Sequence, residues 1–307
     1  MSRKQALFKA DFSQKHHGCL SGKFIPNALM RLYTTIRVGG PAIGVYIPED
    51  LEDLEKFFLL CRKKKISLLP IGSGSNIIVT DKGLSNVFLK LSAPYFRRII
   101  LRENNITCGA GVTINNLSNF AEEHFLTGAE FLVGIPATVG GAVFQNAGAH
   151  SEDVSCILES IECLNLSGNI NTLSRKDIDF KYRHSGLKDT IILSAQFKLR
   201  RAKKRFIRNN IKRYLERRLS VQDYTSPSAG CVFKNSDNAG ISAGELIDKC
   251  KLKGMRIGDA QISTKHANFI LNKGHASAED ILKLISFVKK RVKSVYGITL
   301  ETEVEII

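Results

Sequence analysis

The stretches PIGSGSNIIV (residues 70–79) and GIPATVGGAVFQNAGA (residues 134–149) decide how this chain is read. Each strings small residues together with glycine, and neither contains a lysine or arginine. Glycine lets a backbone pass close to a large ligand, and successive main-chain N–H groups in a turn form an anion-binding concavity. One such run reads equally well as a tight turn. Two in one half of a chain, with Ser, Thr, Asn and Gln interspersed, imply one extended anionic ligand gripped along its length.

The first run is no dinucleotide fingerprint of the Rossmann type. Ile77 stands where the third glycine belongs, and IIVT reads as a strand instead of the required helix. No G-K-[ST] follows it, which excludes a Walker phosphate loop. An FAD diphosphate held by main-chain amides in a non-Rossmann αβ domain fits better.

Outward from these runs, periodicity organises the chain. LEDLEKFFLLCRKKK places Leu51, Leu54, Phe57, Phe58 and Cys61 on one helical face, while VGGPAIGVYIP, SLLPIG and NVFLKL read as strands. Between about 95 and 200, RRIILRENNITCGAG, CILESIECLNLSGNINTLS and TIILSAQFKLRR are strand-rich, with hairpin breaks at Asn104-Asn105 and Ser167-Gly168-Asn169. One helix interrupts them, with Thr113 as N-cap and Leu117, Phe120, Ala121 and Phe125 as its apolar stripe. Further on, GELIDKCKLKG and SAEDILKLISFVKKRVKSVYG read as helices, the second opened by Ser277 and Asp280 as a capping box. HANFILN and LETEVEII read as strands.

Length and composition set bounds. At 307 residues the prior is roughly two domains, and 43% hydrophobic content suffices for a buried core. No apolar run approaches the roughly 20 residues of a membrane span, and the first residues lack a signal peptide's apolar core, so a cytoplasmic protein is expected. Seven scattered cysteines, Cys19, Cys61, Cys108, Cys156, Cys163, Cys231 and Cys250, with no C-x-x-C, fit free thiols in a reducing compartment and no metal site. A net charge of +16 attracts polyanions, and the charge concentrates in RRAKKRFIRNNIKRYLERR at 200–218. There Phe206, Ile207, Ile211, Tyr214 and Leu215 recur at helical spacing, so a solvated helix with one packed face is expected, with no nucleic-acid and no membrane partner.

Several long motifs, in order from Thr34 onward, carry a family resemblance. They are TTIRVGGPA (34–42), the two glycine runs, FKYRHSG (180–186), PSAGCVFKN (227–235), HANFILN (266–272) and LETEVEII (300–307). On these the chain resembles the UDP-N-acetylenolpyruvoylglucosamine reductase family, in its shorter subclass without an extra substrate-closing loop. The resemblance implies an α+β fold of the vanillyl-alcohol-oxidase-like (PCMH-type) class. Residues 1–29 would be an N-terminal extension, 30–92 and 93–201 the two FAD-binding subdomains, 202–219 a basic linker helix, and 220–307 a smaller α+β substrate-binding domain. It further implies NADPH-dependent reduction of UDP-N-acetylglucosamine-enolpyruvate to UDP-N-acetylmuramate through FAD. That step belongs to peptidoglycan precursor synthesis and so bears on cell wall, shape and division. A monomer or weak oligomer is expected. Two alternatives stay open, another FAD-linked oxidoreductase of the same fold and a basic nucleic-acid-binding protein.

The resemblance assigns the cofactor to Gly72, Ser73, Gly74, Ser75 and Asn76 in the first run. In the second it assigns Gly134, Ile135, Pro136, Thr138, Gly140, Gly141, Gln145, Asn146, Ala147 and Gly148. It assigns catalysis to Arg183, Cys231 and Glu303. Hydride delivered to the enolpyruvyl methylene leaves negative charge on the adjacent carbon and its carboxylate, which calls for a cation and a proton donor. Arg183 supplies a permanent, forked cation. Glu303 is either protonated or orients another donor. Alternation would place Glu301, Glu303 and Glu305 on one strand face.

Cys231 stands where the family carries a serine proton donor. A thiol, with an unperturbed pKa of about 8.5, is mostly protonated at neutral pH and is a stronger acid than a hydroxyl. Ser236 is a second departure, where proline is usual. Asn235, His266 and Asn268 are the expected substrate contacts, although His266 also reads as a satisfied strand histidine. Arg217 and Arg218 read either as diphosphate contacts or as helix-surface charge.

Overall fold

The computed structural model describes residues 20–149, 151–235 and 240–307. Cys19, the His16-His17 pair and Ser236 lie outside the described residues. The chain forms two compact units that do not follow chain order. The first gathers Ile43–Ser73 and Ser85–Glu216 with the chain up to Pro26, and the second gathers Asn27–Ala42, Gly74–Leu84 and Arg217–Ile307.

In the first unit, a four-stranded sheet runs in the order Lys23–Pro26, Ala42–Ile47, Leu84–Leu89, Ser67–Pro70. The helix Leu51–Lys64 buries Leu54, Phe57, Phe58 and Cys61, as its periodicity predicts. Its N-cap is Asp50, whose carboxylate accepts from the Asp53 N–H. A five-stranded antiparallel sheet follows, in the order Ile170–Ser174, Leu158–Asn165, Thr190–Lys198, Asn105–Gly109, Ile99–Arg102. Both sheets and the helices Ile114–Glu123 and Val139–Phe144 contribute to one apolar core, which includes Tyr46, Phe57, Phe96, Phe131 and Phe197.

The second unit has its own core of Ile36, Val38, Ile78, Phe233, Ile247, Ile281, Leu284 and Val304. Its sheet runs Ser228–Cys231, Phe269–Asn272, Ala260–Ile262, Arg256–Ile257, all antiparallel. The helix Ala278–Tyr296 packs its apolar stripe there, and its Ser277–Asp280 capping box forms as read. Asp81 adds a second clamp, accepting from the Ala278 and Glu279 N–H groups.

The expected subdomain 30–92 is therefore divided. Ile36, Val38 and Ile78 bury their side chains in the second core, and Ile77–Ile78 pairs in parallel with Glu305–Ile306. Smaller differences have local causes. The first hairpin turns at Glu103-Asn104, because Glu103 takes the left-handed conformation and Asn105 already pairs with Arg102. Phe125 leaves its predicted stripe, since the helix ends at Glu123 and Phe125 itself adopts a positive φ and is exposed. The basic helix spans Lys204–Val221, and Ile207 is its one fully buried side chain, with Phe206 exposed.

Candidate active site

The two glycine runs meet in the first unit. A Cβ on Gly72 would collide with Thr138 Oγ1, so the loop passes the threonine with no room for a side chain. Thr138 caps the helix Val139–Phe144, its Oγ1 accepting from the Gly141 N–H, and pairs with Thr113 as an isolated bridge. Gly140 packs on Ala110, its N–H donating to the Ala110 carbonyl.

The two runs differ in how their main-chain N–H groups are used. Those of Gly134, Ile135, Gly140, Gly141, Gln145, Asn146 and Ala147 already donate within the protein. Among the described residues, those of Gly72 and Ser73, and in the second unit those of Gly74, Ser75 and Asn76, donate to no protein acceptor. Unengaged main-chain N–H groups of this kind are the donors with which a backbone binds an anion. In the second run most main-chain N–H groups are engaged within the protein. Ile135 and Pro136 form its bend before Thr138, Pro136 exposed and Ile135 half-buried.

Asn146, buried and with a positive φ, ties three segments together. Its Nδ2 donates to the Lys181 carbonyl and its Oδ1 accepts from the Ser155 N–H. That brings the FKYRHSG segment to the end of the second run. There Lys181 and His184 close a tight turn, Arg183 has a φ of 53°, and Arg183 Nη2 donates to the Gly148 carbonyl at 2.9 Å. The arginine is thus held by a residue that the sequence assigned to the cofactor. Ser185 is structural, donating from its buried hydroxyl to the Phe144 carbonyl.

In the second unit, Cys231 ends a strand whose register slips between Ser228 and Cys231, where Gly230 takes a φ of +75°. The thiol-bearing residue is half-buried and faces Phe269 in register. The next residues are held from two sides. Val232 and Phe233 N–H groups donate to the Asn268 carbonyl and Oδ1, Asn268 Nδ2 donates back to the Phe233 carbonyl, and the Glu303 N–H donates to the Val232 carbonyl at 2.8 Å. Cys231 and Glu303 therefore lie on directly bonded segments. The three glutamates do not share a strand face. Thr302 bridges Phe233, the chain bends at Glu303 and Val304, and pairing resumes at Glu305. Glu303 is half-buried between exposed Glu301 and Glu305, a distinction that alternation could not make.

The expected substrate contacts divide. Asn268 is buried, with its carboxamide committed to Phe233, so its part is to hold the strand. His266 Nδ1 accepts from the Asn268 N–H, and burial holds its imidazole below the ordinary range, which keeps that nitrogen an acceptor. Exposed Asn235 accepts from the Ala243 N–H at the start of the helix Ala243–Lys249. Arg217 is exposed, whereas Arg218 is half-buried beside Gln222 and Tyr224. Burial raises the Tyr224 phenol, Arg218 opposes the rise and Cys231 adds to it, which puts all three in one neighbourhood.

Sequence reasoning missed Asp223 and Ser263. Ser263 Oγ donates to Asp223 Oδ2 at 2.6 Å, and both are buried. No local pattern marks either residue, because the bond joins two loops far apart in the chain. Among the described residues, no cluster of His, Cys, Asp and Glu could hold a metal ion, and no helix is long and apolar enough to cross a membrane.

Comparison with known proteins gives two matches in chain order. Residues 42–174 match a family described as an FAD binding domain, and residues 222–307 match the UDP-N-acetylenolpyruvoylglucosamine reductase C-terminal domain. The chain is 40% identical over 288 residues to the UDP-N-acetylenolpyruvoylglucosamine reductase of Halalkalibacterium halodurans, covering 93% of this chain and 95% of that one. It is 37% identical to the Bacillus pumilus reductase over 289 residues, covering 93% and 94%. The crystal structure of UDP-N-acetylenolpyruvylglucosamine reductase from Thermus caldophilus superposes with a TM-score of 0.81 at 35% identity, covering 93% of this chain and 99% of that one. The chain is an FAD-binding α+β oxidoreductase and belongs to the UDP-N-acetylenolpyruvoylglucosamine reductase family.

Proposed function

We propose that this protein reduces UDP-N-acetylglucosamine-enolpyruvate to UDP-N-acetylmuramate at the expense of NADPH, a step of peptidoglycan precursor synthesis. The observation that carries this reading is that the flavin-binding match and the reductase C-terminal match lie on one chain, which spans nearly the full length of its reductase relatives. When bound, FAD supplies a two-electron carrier between NADPH and the enolpyruvyl double bond. The unengaged amides of the first glycine run and the close Gly72–Thr138 passage support its diphosphate lying there.

The protein's residues handle the charge and the proton. Hydride addition at the methylene carbon breaks the C=C π bond and leaves its electron pair on the neighbouring carbon, delocalised into the carboxylate. Arg183 grips that carboxylate, and its anchorage to the Gly148 carbonyl supports a preset orientation. Cys231 gives its thiol proton to the carbon, leaving a thiolate that water reprotonates. Glu303 stands beside this step, and the bond from its N–H to Val232 supports that assignment. Asn235 and His266 are assigned to the UDP moiety, and Asn268 holds the strand beside His266. Residues 43–73 and 93–201 serve the flavin, 202–219 link, and 220–307 serve the sugar nucleotide. The enzyme acts in the cytoplasm as a monomer or weak oligomer.

Anaerobic stopped-flow absorbance tests the reading. NADPH should bleach the flavin band, and UDP-N-acetylglucosamine-enolpyruvate should restore it. Bleaching without substrate-dependent recovery would overturn the substrate. A protein that takes up no flavin would overturn the whole assignment.

A further inference from the structure

The strand that carries Cys231 is irregularly paired. Its register slips between Ser228 and Cys231, and Gly230 sits in the left-handed region in open space. Beyond its own pairing with Phe269, the backbone at Cys231 is steadied by what grips the next two residues. That grip is Asn268, which bonds Val232 through its carbonyl and Phe233 through both ends of its carboxamide.

Asn268 is itself held from behind. Its N–H donates to His266 Nδ1 at 3.2 Å. The His266 and Lys265 N–H groups both donate to Ser263 Oγ at 3.0 Å. Having accepted twice, that hydroxyl has one proton left, and it donates it to Asp223 Oδ2. Asp223 Oδ1 accepts from the Thr225 N–H and hydroxyl. Ser263, Asp223 and Asn268 are 0%, 5% and 3% exposed, so water cannot take over a bond that is lost. Every link lies inside the second unit.

We propose that Asp223 and Ser263 are positioning residues for Cys231, acting through the His266–Asn268 turn. The proposal rests on the reading of Cys231 as proton donor. Asp223 and Ser263 act at a distance from the reacting atoms, through the bonds that hold Asn268. They set where the thiol proton points, and a proton transfer is sensitive to misplacement of about 1 Å.

The test separates the two half-reactions by anaerobic stopped-flow. In Ser263→Ala the rate constant for substrate-dependent flavin recolouring should fall about ten-fold or more. Its solvent deuterium isotope effect should rise, and bleaching by NADPH should stay within about two-fold of the parent rate. Ser263→Thr, which keeps a hydroxyl, should restore most of the recolouring rate. In a Cys231→Ala background, Ser263→Ala should have no further effect, because there is no thiol left to aim.

A purely structural role would lower the amplitude or the melting temperature and leave the rate constant unchanged, and that result overturns the proposal. So would equal slowing of both half-reactions, or a Thr variant no better than Ala. Should Ser263→Ala fail to fold, Asp223→Asn takes its place. An amide cannot accept from both Ser263 and Thr225, so recolouring must slow selectively, and an unchanged rate sinks the idea. Normal recolouring in Cys231→Ala would instead sink the proton-donor reading. Slow recolouring in Cys231→Ala with a normal rate in Ser263→Ala sinks the positioning proposal alone.

Discussion

Gly72 lies against the hydroxyl of Thr138 so closely that a methyl group has no place between them. The two glycine runs, distant in sequence, thus make one surface, and the contact sets how near a ligand can come to the backbone of the first.

Gly72→Ala should push Thr138 off its capping position and distort the loop. Overpacking of this kind costs about 1–3 kcal/mol. The expected outcome is a folded protein that loses flavin on gel filtration, read as the ratio of flavin to protein absorbance. Full flavin retention would show that the first run does not grip the cofactor.

Cys231→Ser should keep substantial substrate reduction, since a hydroxyl retains a transferable proton. Cys231→Ala should bleach normally with NADPH and recolour with substrate about 10²-fold more slowly or worse. Normal recolouring in the alanine variant would remove Cys231 from the chemistry.

Arg183→Lys keeps a positive charge but loses the fork that can hold a carboxylate while bonding Gly148. Substrate reduction should fall by about 10²-fold in the lysine variant, with flavin content unchanged. A lysine variant as fast as the parent would show that charge alone suffices.

Asp223 carries a pH signature. Burial raises its carboxyl, but hydrogen bonds from Ser263 and Thr225 outweigh that and hold it below the ordinary range. A depressed folded-state value means that the carboxylate stabilises the fold above the ordinary aspartate range and ceases to as pH falls through the folded value. Asp223→Asn should therefore be less stable than the parent at neutral pH by about 1–3 kcal/mol, with the gap narrowing below about pH 4. Urea melts at pH 7 and pH 3 measure it, and a gap independent of pH would refute the ionised role.

Thiol labelling offers a further check. Burial pushes Cys61 and Cys108 up to about 12, whereas Cys156 is exposed. Iodoacetamide at pH 8 should modify Cys156 in the native protein and leave Cys61 and Cys108 intact until denaturant is added, as peptide mass mapping would show.

Local chemistry was legible in the sequence. The Ser277–Asp280 capping box, the Thr113 N-cap and the buried face of Leu51–Lys64 each follow from side chains within a turn or two. The glycine runs announced a backbone-lined surface, and the ordered motifs announced the family. Long-range pairing was not legible. Nothing near Glu303 foretells that Thr302 bridges Phe233, so alternation put three glutamates on one face where the chain bends. Asn268 was a substrate-contact candidate through its place in HANFILN, and only the fold reveals that Phe233 takes both ends of its carboxamide. Phe206 matched a packed helical face by spacing, but the residue is exposed.

The second unit is assembled from three stretches of chain separated by most of the first. On the ribosome, Ile36, Val38 and Ile78 emerge long before Phe233, Leu284 and Val304, the residues that will cover them. Contacts of such long sequence separation form late, so these apolar side chains wait uncovered until the last stretch is made. The half of the protein that bears Cys231 thus spends its infancy as the aggregation-prone half. Truncation, stalling or slow synthesis in the last quarter of the chain should leave Ile36, Val38 and Ile78 without the residues that cover them.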